Sequence, residues 1–208
     1  FTVVLIVLFY LHTLIRKLGK SFLLNMFLFL LILVNFSLIM VPVSLLGAFL
    51  AMAHLVLANL IWVNLDIILE TFSTDNHSGR IRGLYLTIMN AGLLSAPFFA
   101  SKILERFGFD GIFMVELAMS CLLFVLVMVS LRNVNHRFRE KITPRQILRK
   151  VEDKPDVLRI FHISFSMEFF YAIMIVYTPL YLLSLGMDWN QIGIAFTVML
   201  LSLIHISE

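Results

Sequence analysis

The sequence predicts an all-α membrane protein of about seven transmembrane segments, the first and last of them incomplete. Three observations carry this. Apolar residues make up 61% of the chain and charged residues 14%, where a soluble domain holds about 45–50% and about 25%. A bundle in lipid needs apolar side chains on its outside as well as inside. Second, apolar runs recur along the chain, and the complete ones match the roughly 20 helical residues of a bilayer crossing. Third, fourteen of the sixteen Lys and Arg residues lie in, or within two residues of, three loops. Those loops alternate with loops nearly free of positive charge, the pattern that marks cytoplasmic and exported sides.

Taken in order, Phe1 to His12 is apolar but too short to span, which reads as a helix cut upstream. A basic loop with Arg16, Lys17 and Lys20 follows. The second segment runs from about Phe22 to Met40 and ends in an uncharged connection holding Pro42. The third runs from about Leu45 to Leu65. The loop Asp66 to Arg82 carries Asp66, Glu70, Asp75, His77, Arg80 and Arg82. A fourth segment, Gly83 to Ser101, leads to a short loop with Lys102, Glu105, Arg106 and Asp110. The fifth runs from Gly111 to Leu131. Arg132 to Val157 is the long polar stretch and holds eight Lys and Arg. Thr143 and Pro144 there read as a helix N-cap and first-turn proline. Ile147, Leu148 and Val151 make a narrow stripe, fitting either a helix on the membrane surface or a solvated linker. The sixth segment is Leu158 to Leu185. A turn at Gly186 and an N-cap at Asp188 or Asn190 open the seventh. By parity, the loops after the first, third and fifth segments face the cytoplasm.

The formal charge of +3 comes from loops beside an anionic leaflet and carries no nucleic-acid signal. One cysteine, Cys121, excludes an intramolecular disulfide and a cysteine metal cluster. The six histidines have no metal-ligand spacing, and the phosphate loop, H-E-x-x-H and G-x-S-x-G patterns are missing. The sequence thus indicates no enzyme and no cofactor. The last eight residues, Leu201 to Glu208, resemble the in-frame translation of a sequencing-library adaptor. They are read as a non-native tail, although Leu201 to Ile206 are apolar enough to extend the seventh segment.

Within the fourth segment, Gly92, Ala96 and Ala100 recur every four residues, and Pro97 removes one backbone hydrogen bond. The stripe reads either as a pivot at a close helix contact or as ordinary small-residue packing. This stretch resembles the G-x-x-x-G-P-x-x-G-G motif of the fifth helix in the major facilitator superfamily. Ala96 stands for its second glycine, and Ala100 and Ser101 for its last two. The preceding acidic helix end and Gly79-Arg80-Ile-Arg82-Gly83 resemble that family's loop between helices four and five. The resemblance implies a partial bundle of the major facilitator type, covering the end of helix two through the start of helix eight. Residues 1–131 would be an incomplete N-terminal half, 132–157 the basic cytoplasmic linker, 158–200 the start of the C-terminal half, and 201–208 the tail. The family's loop between helices two and three carries an acidic gate, and Arg16 stands in its place here. Asp66 and Glu70 can instead pair with Arg16, Lys17 or Lys20, or stand as solvated charges worth about 0–1 kcal/mol per pair.

Candidate solute contacts follow from polar residues inside the segments. Asn59, Trp62 and Asp66 share one face of the third, which the resemblance turns towards a central cavity; alternatively Asn59 only bonds a neighbouring helix. Gly47, Ala51, His54 and Ala58 form a packing face with His54 as its polar exception. In the sixth segment, Ser164, Glu168, Tyr171 and Thr178 share a face. A carboxylate at the depth of Glu168 costs roughly 2.5–3.5 kcal/mol on insertion scales, so it is the leading candidate for coupling, the alternative being a neutral hydrogen-bonder. Glu116, nearer an exported helix end, ranks lower, and Asn90 is a weaker candidate of the same kind. The expected function is secondary active transport of a small solute by alternating access, coupled to an ion or proton. The expected site is the cytoplasmic (inner) membrane of a prokaryote, and the partners are the lipid bilayer, a small-molecule solute and protons, with no nucleic acid. The sequence sets no oligomeric state. A polytopic membrane enzyme or an ion channel is the alternative, but no charged ring or filter-like loop is visible.

Overall fold

The computed structural model describes residues 2–72, 78–131 and 154–206, with the side chains of residues 2–9, 78, 168 and 202–206 outside that description. Its regular elements are all helices: α1 (Thr2–Leu18), α2 (Lys20–Met40), α3 (Leu45–Phe72), α4 (Ser78–Ser130), α5 (Pro155–Ser184) and α6 (Trp189–Ile206). Gly108 breaks α4 into two arms with φ 66° and ψ −164°, a region open essentially to glycine alone. Counting the arms separately gives seven helical segments among the described residues, the all-α class the sequence predicts. α2, α3, α4 and α5 are each long and apolar enough to cross a membrane.

The helices outrun the apolar runs, and this corrects several expected boundaries. α1 continues through Arg16 and Lys17 to Leu18, so the first basic loop shrinks to Gly19, whose φ is 90°. α3 runs to Phe72 and takes in Asp66 and Glu70, which the sequence reading places in a loop. The first arm of α4 absorbs Lys102, Glu105 and Arg106. The physical reason is common to all three. Lys, Arg and Glu are good helix formers, so the hydrogen-bonded ladder continues past the point where hydrophobicity ends. Residues 73–77 and 132–153, with the expected Thr143–Pro144 helix start, lie outside the described residues.

The chain divides into two compact units, 1–89 with 107–141 and 90–106 with 142–208. The first is organised around α2. Leu23 and Phe27 pack with Leu11 and Ile15 of α1 and Leu60 of α3. One residue further round the helix, Leu24 and Leu28 pack with Ile68 of α3, flanked by Phe124, Val127 and Leu131. α2 is thus apolar on several faces because it touches three neighbours. Two asparagines, Asn35 of α2 and Asn64 of α3, are completely buried among these side chains.

In the second unit, α5 and α6 are joined by a tight turn whose chemistry is local. The Gly186 N–H donates to Leu183 O at 3.0 Å and the Met187 N–H to Leu182 O at 3.2 Å. This is the paired arrangement that closes a helix on a left-handed residue, and Gly186 has φ 84°. Asp188 then caps α6. Its Oδ1 accepts from the Gln191 N–H at 2.7 Å, and Gln191 Oε1 accepts from the Asp188 N–H at 3.1 Å, a reciprocal capping box. Of the two expected caps, Asp188 and not Asn190 takes the role. No described residue of α5 is buried, and Phe165 and Phe170 are about 70% exposed. In water such a surface would be an aggregation hazard; in a bilayer it is solvated by acyl chains.

Candidate functional site

Three polar arrangements stand out from this apolar frame. The first joins α2, α3 and the second arm of α4. Asn35 Oδ1 lies 2.8 Å from His54 Nδ1, and His54 Nε2 lies 3.2 Å from Glu116 Oε1. An amide oxygen only accepts, so Nδ1 carries the hydrogen and Nε2 faces the carboxyl. Asn35 also acts on Glu116, although its Nδ2 completes no hydrogen bond. The His54 and Glu116 side chains are 17% and 33% exposed, so the pair is largely withdrawn from its surroundings.

Helix arithmetic explains why these residues meet. At about 1.5 Å per residue, Asn35, His54 and Glu116 stand roughly 8, 14 and 12 Å from the ends of their helices on the side that the charge pattern assigns to the exterior. The sequence reading treats His54 as a packing exception, ranks Glu116 low and passes over Asn35. A comparison of depth, helix by helix, was the available signal.

The second arrangement lies at the opposite ends of the same helices. Lys20 Nζ donates to Thr71 Oγ1 at 2.7 Å and to Ile67 O at 3.4 Å, and Glu70 is close enough to act on its charge. An ammonium at the C-terminal end of α3 also meets the negative end of the helix dipole. Asn64 Nδ2 donates to Lys20 O at 3.3 Å, and Ser21 Oγ donates to Leu131 O at 3.0 Å. The start of α2 is therefore tied by short polar bonds to α3 and to the end of α4's second arm.

The third arrangement is a close helix approach in the second unit. A Cβ placed on Gly193 of α6 would collide with the Ser101 side chain and stand 2.8 Å from Pro97 O. The helices meet here because Gly193 offers no side chain. This close approach lies beside the stripe expected in α4. Around Gly92 a Cβ would meet nothing within 4 Å, and Gly92 and Ala96 are exposed. The approach uses the adjoining face, at Pro97 and Ser101, because that is where the opposing glycine sits.

The other sequence-predicted residues are dispersed. Asn59 is exposed and its Nδ2 donates to Leu55 O of its own helix at 2.8 Å. Trp62 is 54% exposed. Asp66, Glu70, Arg80, Arg82 and Asn90 are exposed, and Arg16 is half-buried. On α5, Ser164 is exposed, while Tyr171 and Thr178 are half-buried. Glu168 belongs to α5 by its backbone, and its side chain lies outside the described residues.

Among the described residues, helices long and apolar enough to cross a bilayer and a surface suited to acyl chains mark an integral, multi-pass membrane protein. A family model, Major Facilitator Superfamily, matches residues 1–206. The chain belongs to that superfamily of membrane transporters. No curated protein and no solved structure matches the chain. The family match and α6 both run through Leu201 to Ile206, the apolar part of the stretch that resembles adaptor sequence.

Proposed function

We propose that this protein is a secondary transporter, moving a small solute by alternating access at the expense of a proton gradient in a prokaryotic cytoplasmic membrane. The carrying observation is the position of Glu168. It falls near the middle of α5, roughly 20 Å along the helix from Pro155 and 24 Å from Ser184. An ionisable group at that depth is costly wherever it lacks a compensating role. Residues 1–131 and 158–200 are read as parts of the two halves, joined by the basic 132–157 linker. On this reading Ser164, Tyr171, Asn59, Trp62 and Asn90 contribute solute contacts. Gly92, Ala96 and Pro97 belong to the moving helix, and Asp66, Glu70, Arg16, Arg80 and Arg82 to a cytoplasmic gate.

On the reading of 1–131 and 158–200 as incomplete halves, the test uses the complete bundle in proteoliposomes loaded with a pH-sensitive dye, in which addition of a transported solute changes the internal pH. Glu168→Gln is expected to abolish solute-driven proton movement while inserted protein stays at the wild-type level. Unchanged proton movement in that variant refutes the role of Glu168.

Topology gives a separate prediction. In a Cys121→Ser background, single cysteines placed in 132–157 should react with an impermeant maleimide only from the cytoplasmic side. Labelling of intact cells from outside would reverse the orientation of every segment, since parity ties each loop to this one.

A further inference from the structure

We propose that His54 and Glu116, oriented by Asn35, form a proton-binding pair that is distinct from Glu168. The proposal rests on the reading of the protein as a proton-coupled transporter, and it adds a site within the first compact unit. Its grounds are geometric. Asn35 is wholly buried and presents its oxygen to His54 Nδ1 at 2.8 Å. That bond fixes the hydrogen on Nδ1 and aims Nε2 at Glu116 Oε1, 3.2 Å away. One proton then occupies the space between Nε2 and Oε1. With it, the pair is neutral, as imidazolium and carboxylate or as imidazole and carboxylic acid. Release of that proton to water leaves a neutral imidazole beside a carboxylate, a net charge of −1, and uptake reverses the step. No other species is consumed.

The surroundings leave the two groups to answer chiefly to one another. On α2 the nearest charged residue is Lys20, roughly 22 Å along the helix from Asn35, and on α3 it is Asp66, roughly 18 Å from His54. On the second arm of α4, Asp110 stands about 9 Å along the helix from Glu116. On α1, Arg16 and Lys17 lie at the same end of the bundle as Lys20. His54 and Glu116 form one ion pair, and Arg159 and Asp156 form another within α5. The incomplete bonding of Asn35 Nδ2 fits the same role. An amide short of a partner gains a full bond when the neighbouring carboxyl becomes an unshared carboxylate, so the deprotonated state is also accommodated.

Two groups that share a proton titrate as a pair, and neither has a midpoint of its own. The experiment is infrared difference spectroscopy of the chain in lipid nanodiscs across pH 5–9, with isotope-labelled histidine to assign the ring bands. No solute is needed. In the wild type, the carboxyl band that Glu116→Gln removes and the histidine band that His54→Gln removes are expected to change with a common midpoint. Glu116→Gln should remove the carboxyl band and displace the histidine midpoint by about one pH unit or more. His54→Gln should displace the carboxyl midpoint in turn, and Asn35→Leu should move both together. Separate midpoints in the wild type, or a histidine band unmoved by Glu116→Gln, overturn the pair. Because the measurement involves no transport, a common midpoint in a complete bundle, with both halves present, that fails the liposome assay refutes the transport reading and leaves the pair standing. Transport with separate midpoints does the reverse.

Discussion

Leucine at Gly193 is expected to destabilise the protein strongly, whereas leucine at Gly92 is expected to leave its stability nearly unchanged. The contrast comes from what each new side chain would meet. At Gly193 even a Cβ runs into Ser101 and Pro97 O, while at Gly92 nothing lies within 4 Å. Overpacking costs about 1–3 kcal/mol where side chains can shift. Here one obstacle is a backbone carbonyl, which cannot rotate away, so α6 must separate from α4. Retention of monodisperse protein in mild detergent after heating measures the effect. Gly193→Ala should be intermediate. Adding Ser101→Gly to it should recover part of the loss, because the Ser101 side chain is removed and Pro97 O remains. Equal tolerance at Gly193 and Gly92 would contradict the close approach.

Much of the architecture was legible before any coordinates. Hydropathy and the turn residues Gly186 and Asp188 are local signals, and each produced its element. The Gly108 break was legible to within a loop. What hydropathy cannot find is the end of a helix whose last turns are charged, which is why Arg16, Asp66 and Lys102 proved to be helical. The small-residue stripe of α4 is legible only as a spacing. Gly92 and Ala96 have the right spacing to meet another helix, but spacing says nothing of where the partner's own glycine falls. Gly193 decides that, and it lies far along the chain.

The candidate site shows the same division. Polar residues in apolar segments are visible singly, and Glu168 stands out for its depth and for the face it shares with Ser164, Tyr171 and Thr178. A site made by three helices depends on their register. Asn35, His54 and Glu116 are separated in sequence by whole segments, and only their similar depths bring them to one level. Lys20 carries a related lesson. The sequence reading offers it to Asp66 or Glu70 as a gate; Glu70 does act on its charge, and Lys20 also bonds Thr71 and the Ile67 carbonyl, groups that a charge inventory does not count.

Removing one member of the His54–Glu116 pair is expected to destabilise the protein more than removing both. His54→Leu leaves the Glu116 carboxyl beside an apolar side chain and takes from Asn35 Oδ1 its partner. Glu116→Leu leaves His54 Nε2 unmatched. Each single change therefore strands a largely buried polar group, at a cost of about 1–3 kcal/mol. In the double variant His54→Leu/Glu116→Leu, two leucines face each other and only Asn35 remains unbonded. Replacement of an internal ion pair by well-packed apolar residues is often neutral or stabilising, so the double variant should lie closer to wild type than either single. A double-mutant cycle on stability in detergent reads this as a non-additive interaction. Additive losses would mean that the 3.2 Å approach of Nε2 to Oε1 has no energetic weight. Asn35→Leu, introduced into the double variant, should then restore stability further by removing the last stranded amide. If it lowers stability instead, Asn35 holds α2 in place through its shape rather than through His54.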